Sequence, residues 1–376
     1  MPTRPKKKVF IQEEDFQSKL ISQIHNNDVI DIRKILPLVT PGTELRDGLD
    51  EILHGNLGAL IVLGDSEKLK PILKGGIDLD IPFSSQKMFE LSKMDGAIVL
   101  SNDLTKIVGA NKHLMPDRDI SSKETGMRHR SAEQTAMQSD LPVIAISHRR
   151  NVISLYYKDQ KYVLQDFNIL MVKANYAINS LKDYRAKLDK KLKNLYNSEV
   201  IFSNNLKIEV IDLIQNILYF FKNETQVDDL IVELGSQGQD ISNSFYEITY
   251  GLEEELYLIL KDYSNNIYLK EECFEKINFL KQLGIRKIAD SEKLIEILEL
   301  SKFISQKDFD FPRGYRFFSK MKEIDSKIID NLINSKGSLK NIKSLNLNEF
   351  SKIQGIDVSK SKLLYNYINK IYTRKI

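Results

Sequence analysis

The sequence has one cysteine, Cys273, in 376 residues. A single thiol excludes an internal disulfide and a cysteine-based zinc cluster. No apolar run approaches the roughly 20 residues that a membrane helix needs. The longest, Leu57 to Leu63, suits a buried strand instead. The basic start, Met1 to Val9, has no apolar stretch behind it and does not read as a secretory signal. Residues 1–26 therefore read as a solvated basic extension, and a cytoplasmic location is the default expectation. Also missing are a Walker-type phosphate loop, a Rossmann glycine fingerprint and a paired-histidine zinc helix. Nucleotide chemistry, if present, must use some other arrangement.

The length exceeds one ordinary compact core and predicts two or three domains. Up to residue 165, short β-branched apolar runs recur: Gly58 to Leu63, Ala97 to Leu100 and Val143 to Ile146. Helical patterns lie between them. One spans Leu45 to Leu53, with Thr43 placed to cap it and Glu44 in its first turn. Another begins near Arg128 and runs through Ala132, Ala136 and Met137. Val152 to Tyr157 and Tyr162 to Asp166, on either side of Lys158-Asp159-Gln160-Lys161, read as a closing hairpin. Residues 27–165 are thus an α/β domain, a mixed sheet flanked by helices.

From Asn168 to Leu300 glycine and proline are scarce, and Leu181, Tyr184, Leu188 and Leu195 recur at helical spacing. Residues 166–305 read as an all-α helical spine. A long coiled coil is the alternative, but Lys191 falls on the apolar seam and favours packing in a bundle. Residues 306–376 read as an all-α domain of short helices: Lys327 to Ile333, Leu347 to Ile353 and Ser361 to Ile371. A glycine-containing turn, Gln354 to Ser359, separates the last two. From Pro312 to Ile376 there are 14 Lys and Arg against 5 Asp and Glu, while the rest of the chain has 41 against 47. That excess suits a polyanionic partner. A lysine-rich surface in a lysine-rich protein is the plainer alternative.

Two segments carry chemistry. Asp95-Gly96-Ala97 stands directly before a buried strand. A carboxylate beside a glycine there can hold Mg²⁺ near a nucleotide, or simply begin a turn. The second segment is Glu124-Thr125-Gly126-Met127-Arg128-His129-Arg130-Ser131-Ala132-Glu133, a turn running into a helix. Its helix N-terminus offers free N–H groups, Arg128 and Arg130 add forked donors, and His129 and Ser131 add more. Together they form a candidate triphosphate cradle. Alternatively, the arginines pair with acidic neighbours and Thr125 or Ser131 only caps the helix. His25, His54, His113 and His148 read as surface or packing residues.

Together the two segments resemble the diadenylate cyclase family. Pro41-Gly42-Thr43, Gly58 to Gly64, His113-Leu114-Met115-Pro116-Asp117 and Val143 to Leu155 follow in the expected order. With the spine and basic tail region, the resemblance extends over nearly the whole chain to cyclases of the DNA integrity scanning type. It implies condensation of two ATP into cyclic di-AMP and two pyrophosphates, with Mg²⁺ or Mn²⁺ as cofactor. It assigns Asp95 to the metal and the ribose 3′-hydroxyl, Gly96 to the nucleotide and Leu114 to the adenine. Met127, Arg128, His129, Arg130 and Ser131 fall to the phosphates, with Arg128, His129 and Arg130 counted as catalytic beside Asp95. Family members more often carry Thr where Met127 and Ser131 stand; Ser131 keeps the hydroxyl and Met127 does not. The resemblance further implies cyclase domains paired face to face in a homo-octamer, with no membrane partner and a nucleoid-associated, cytoplasmic protein.

The C-terminal region resembles the helix-hairpin-helix modules of DNA-repair proteins, which hold backbone phosphates through N–H groups. Gly355, Ile356, Lys360 and Lys362 become its DNA-binding residues, and branched or damaged DNA its partner, as a checkpoint signal. The usual pattern has a second glycine where Asp357 stands. Asp tolerates left-handed backbone, but its charge opposes phosphate, and Lys360 and Lys362 are expected to offset it. A DNA-binding scaffold with a silent nucleotide domain is the alternative function; it predicts damage at Asp95, Arg128 or Arg130, and all three are intact.

Overall fold

The computed structural model describes residues 32–203, 205–264, 270–300 and 312–373. The basic extension and His25 lie outside them. Two packed units emerge. The first contains the described residues up to 175 together with 228–242, and the second contains the described residues of 176–227 and of 243–373.

The first unit is built on a mixed sheet of eight strands: β1 (Leu60–Leu63), β2 (Leu73–Lys74), β3 (Ile77–Pro82), β4 (Ala97–Leu100), β5 (Lys106–Leu114), β6 (Val143–Ser147), β7 (Val152–Tyr157) and β8 (Gln160–Leu164). Their order is β2-β5-β4-β1-β6-β7-β8, with β3 also pairing with β5. Only β1 and β4 run parallel. The central strands are apolar without alternation because both faces are covered. Ile61, Leu63, Ile98, Leu100, Ile144 and Ile146 point into one core, shared with Leu45, Leu49 and Ile52 of helix α1 (Glu44–His54) and Met88 of α2 (Ser85–Leu91). Leu60, Val62, Ala97, Val99, Val143 and Ala145 face the other way, onto Ala132 and Ala136 of α3 (Met127–Ser139). Those two small side chains let α3 lie close to the sheet.

The Thr43 side chain caps α1, accepting from the Arg46 N–H at 3.2 Å. In the closing hairpin, Tyr157 pairs with Gln160, so the turn is only Lys158-Asp159 and the returning strand starts two residues earlier than the sequence suggests. Lys158 takes a left-handed φ of 51°, which makes the tighter turn possible.

In the spine, α4 (Phe167–Ile201) and α5 (Leu206–Leu234) are long helices. Lys191, the residue at odds with a coiled-coil seam, pairs there with Asp212. Shorter helices follow: α6 (Gln239–Thr249), α7 (Leu252–Tyr263), α8 (Lys270–Gln282), α9 (Ile285–Ala289) and α10 (Ser291–Ile297). Within the second unit, Glu199 and Arg316 form a buried ion pair at 2.9 Å, and the Tyr263 hydroxyl donates to Glu199 at 2.6 Å. The Asp262 carboxylate caps α11 (Tyr315–Phe318) by accepting from the N–H groups of Gly314, Tyr315 and Arg316. Removing one partner from a buried charge pair of this kind costs about 3–5 kcal/mol.

The C-terminal region has more helices than the three its sequence suggests: α11, then α12 (Ser326–Lys336), α13 (Leu339–Lys343), α14 (Leu347–Phe350) and α15 (Val358–Thr373). Gly337, with φ 78°, ends α12 and Ser338 caps α13, a turn the periodicity does not reveal. Phe317, Phe318, Leu332, Ile342, Phe350 and Leu364 form the core of this region. Among the described residues, no helix is long and apolar enough to cross a membrane.

Candidate active site

On the α3 side of the sheet lies a cavity of about 500 Å³. Leu60, Leu114, Met115 and Met127 give it an apolar wall. Gly96, Lys74, Lys112, His113, Arg128 and Ser131 complete the lining. Volume and composition suit a small-molecule site with a few convergent polar groups. Leu114 is the last residue of β5, and the Met115 N–H donates to the Ile72 carbonyl at 2.8 Å, which pins the segment after the strand.

Asp95 is exposed directly before β4, and Gly96 is the neighbour that reaches the lining. The backbone here is tight. Gly96 has φ 92°, and a Cβ on it would stand 2.8 Å from the Asn111 carbonyl carbon and 2.9 Å from the Lys112 oxygen. Glycine is therefore required by the approach of β5, whatever it also does for a ligand. The Asn111 amide donates to the Asp95 carbonyl at 2.7 Å and fixes this turn. Among the described residues, no cluster of three or more His, Cys, Asp or Glu is placed to hold a metal ion alone. One exposed carboxylate fits a Mg²⁺ or Mn²⁺ ion carried mainly by nucleotide phosphates.

The N-terminus of α3 opens at this cavity. Its cap residue is Gly126, in extended conformation, and no side chain caps the helix. The first helical hydrogen bond runs from the Arg130 N–H to the Gly126 carbonyl at 2.9 Å, so the N–H groups of the preceding turn remain for an anion. Met127 is 88% exposed, so its side chain only edges the apolar wall and its backbone N–H is the part open to an anion. The Arg128 guanidinium lies over Gly58, where a Cβ would stand 2.4 Å from Nη1. Gly58 thus makes room for the one arginine of the pair that lines the cavity.

Arg130 is exposed with one donor engaged locally, while His129 is placed differently from the phosphate-contact role the resemblance implies. The Arg130 Nε donates to the Glu124 carbonyl at 3.3 Å, bracing the turn before the helix. The His129 ring is buried and its Nδ1 lies 2.9 Å from the Tyr156 hydroxyl, so it points into the domain. The Tyr156 hydroxyl donates to the Glu124 carboxylate at 2.9 Å, and Lys161 closes the chain on the same oxygen. Burial pushes the His129 pKa below its ordinary value, opposed by Glu124. Burial also works against the charge of Glu124, but Lys161, Tyr156 and His129 outweigh it and hold this carboxyl below the usual range. Glu133, also buried, accepts from the Ser122 hydroxyl and the Lys123 N–H and ties the loop before α3 to the helix. Sequence reading missed Lys74, Lys112, Met115 and His113 as lining residues. His113 and Met115 stand in the run from His113 to Asp117 that shares the family's order, whereas Lys74 and Lys112 had no signal beyond their places on β2 and β5.

In the C-terminal region, Gly355 has φ 86° and Ile356 is buried, as a hairpin turn with an apolar anchor needs. Asp357 is not left-handed, contrary to the expectation for a residue in a glycine position. Its carboxylate instead caps α15, accepting from the Lys360 N–H at 2.7 Å. The Lys360 ammonium folds back to the Gly355 carbonyl at 3.4 Å and lies 4.0 Å from the Asp357 carboxylate. Lys362 is exposed.

Residues 46–161 match the family described as DisA bacterial checkpoint controller nucleotide-binding, and residues 164–306 match the DisA bacterial checkpoint controller linker region. The DNA integrity scanning protein DisA of Carboxydothermus hydrogenoformans is 38% identical over 345 residues, 91% of this chain and 97% of that protein. The protein of the same name from Bacillus subtilis strain 168 is 36% identical over 334 residues, 87% of this chain and 90% of that one. That of Clostridium tetani is 34% identical over 357 residues, covering 92% and 94%.

Proposed function

The chain belongs to the DisA family and is a diadenylate cyclase; we propose that it joins two ATP molecules into cyclic di-AMP in the cavity beside α3, and that its C-terminal hairpin binds DNA. The uncapped N-terminus of α3, opening beside an apolar wall and the Asp95-Gly96 turn, carries the first part of this reading. Adenine takes the wall at Leu114, and the phosphates take the free N–H groups, Arg128 and Ser131. Charge develops on the phosphoryl oxygens as the 3′-hydroxyl of one ATP attacks the α-phosphate of the other and pyrophosphate leaves. Donors already aimed at those oxygens lower the barrier without reorganising.

Asp95, next to the lining residue Gly96, is in this reading the carboxylate that orients the attacking hydroxyl and holds a divalent ion together with the phosphates. Such an ion, Mg²⁺ or Mn²⁺, supplies Lewis-acid stabilisation of the same charge. Among the described residues each chain provides one such cavity. The symmetric product therefore calls for two cavities facing each other, one ATP in each, as in a homo-octamer of paired cyclase domains.

At the other end of the chain, the basic excess after Pro312 and the Gly355 turn support contact with DNA phosphates without base reading. A DNA reader attached by a helical spine to an enzyme fits a cyclase that reports on branched or damaged DNA near the nucleoid. The scaffold alternative has no observation in its favour, since Asp95, Arg128 and the open helix end are all present.

The test is Asp95→Asn in the purified full-length protein, with ATP and Mg²⁺ or Mn²⁺, reading cyclic di-AMP by chromatography and mass spectrometry. Loss of a positioned acid–base group predicts a fall of about 10²–10⁴-fold, with assembly and DNA affinity unchanged. Full synthesis by the variant would remove Asp95 from the reaction.

A further inference from the structure

The hydrogen bonds behind the first turn of α3 have a direction. Tyr156 on β7 and Lys161 on β8 are cross-strand partners, and both reach Glu124. The charged Glu124 carboxylate can only accept. The Tyr156 hydroxyl, its pKa raised by burial and by Glu124, keeps its proton and gives it to Glu124. Its oxygen must then accept from His129, so the ring hydrogen sits on Nδ1. The ring is neutral and Nε2 keeps a lone pair. That atom is buried and has no partner among the described residues. The charged groups acting on the ring are Glu124, Lys161, Arg150 and Arg128.

The packing of α3 shows why this matters. The helix meets the sheet through Ala132 and Ala136, whose short side chains give close contact but no direction. The bond from His129 to Tyr156 ties its first turn to one point on β7. We propose that Glu124, Tyr156 and Lys161 are positioning residues for the cyclisation, holding His129 in its Nδ1–H form and thereby setting the open helix end and Arg128 against the bound phosphates. This rests on the function proposed above and assigns work to three residues outside the cavity lining.

Cyclic di-AMP formation at varied ATP tests it in the full-length protein. Tyr156→Phe removes the link; loss of one buried hydrogen bond predicts kcat lower by about 10–100-fold, with KM for ATP nearly unchanged. Because the chain holds Nδ1, His129→Asn, whose amide nitrogen falls near Nδ1, keeps more kcat than His129→Gln, whose amide falls near Nε2. In the His129→Gln background, Tyr156→Phe adds little further loss, since the two act through one bond. Wild-type kcat in Tyr156→Phe, better function of Gln than Asn, or multiplicative losses would each overturn the proposal. If Tyr156→Phe melts below the assay temperature, Lys161→Met at the exposed end of the chain replaces it, with a smaller loss of kcat expected and no loss overturning the idea. A productive wild type beside unaffected variants counts against this inference alone. No product from the wild type counts against the proposed function, and this inference falls with it.

Discussion

The two helix ends assigned to phosphate contacts are built in opposite ways. At α3 the cap is Gly126, no side chain among the described residues fills the position, and the Arg128 guanidinium lies over Gly58. At α15 the Asp357 carboxylate takes the Lys360 N–H, and the Lys360 ammonium is turned back on the same loop. A helix end closed by a side-chain oxygen has one of its N–H groups already taken, whereas an uncapped end keeps them for an anion. Under the proposed function, this difference predicts tight, geometrically fixed phosphate binding at α3, and weaker, salt-sensitive binding at the hairpin before α15.

The largest expected effect beyond Asp95 lies at the open end. Arg128→Ala removes a charge-assisted donor, for which about 1.5–3 kcal/mol is usual. The rate of cyclic di-AMP synthesis at subsaturating ATP is expected to fall about 10–100-fold, while DNA binding stays as in the wild type. An Arg128→Ala enzyme as fast as the wild type would contradict the contrast from this side.

The closed end is broken by Asp357→Gly. The variant loses a capping oxygen, at a cost of only a few tenths of a kcal/mol for this exchange. It also frees the Lys360 N–H and ammonium and removes a negative charge. DNA affinity by fluorescence anisotropy should tighten several-fold, with a salt dependence steeper by about one counterion. Unchanged or weaker binding would mean that the hairpin does not meet phosphate at this turn.

The smallest effect is a pH slope. Burial lowers the His129 pKa in the folded state, so the unfolded chain takes up a proton that the folded chain refuses. The stability contribution is present above the unfolded value of about 6.5 and is lost as pH falls below it. The melting temperature of the cyclase unit should therefore drop between pH 7.5 and 5.5 more in the wild type than in His129→Asn. Parallel curves would place His129 in a solvated position.

Much of the first unit was legible in its sequence, for a physical reason. Runs such as Leu60 to Leu63 and Ala97 to Leu100 are apolar on both faces because helices cover both sides of the sheet, and Thr43 caps as its chemistry suggests. Helix α3 is a different case. Its buried residues, His129, Ala132, Glu133, Thr135, Ala136 and Ser139, are polar or small, so the pattern through Ala132 and Ala136 marks a helix but does not show what His129 and Glu133 hold in place. The Glu124–Tyr156–His129 chain joins residues 32 positions apart, which no local pattern reveals. At Asp357 the hairpin pattern pointed to a strained glycine substitute, whereas the ordinary preference of Asp for a helix cap prevailed. Boundaries were missed where a single left-handed residue shortens a turn, as at Lys158.

The most direct test makes the open end like the closed one. Gly126 already has extended cap geometry, and a Cβ there would meet only the His129 ring, at 3.8 Å, an ordinary contact. Gly126→Asp should therefore fold, cap α3 with its own carboxylate and stabilise the protein by about a few tenths of a kcal/mol. Cyclic di-AMP synthesis by this variant and by the wild type, measured side by side with their melting temperatures, is decisive. The variant is expected to melt no lower than the wild type and to make at most about a few per cent of its product, because a carboxylate then faces the phosphates. A variant that melts as expected and synthesises at the wild-type rate would show that the phosphates do not bind at the N-terminus of α3.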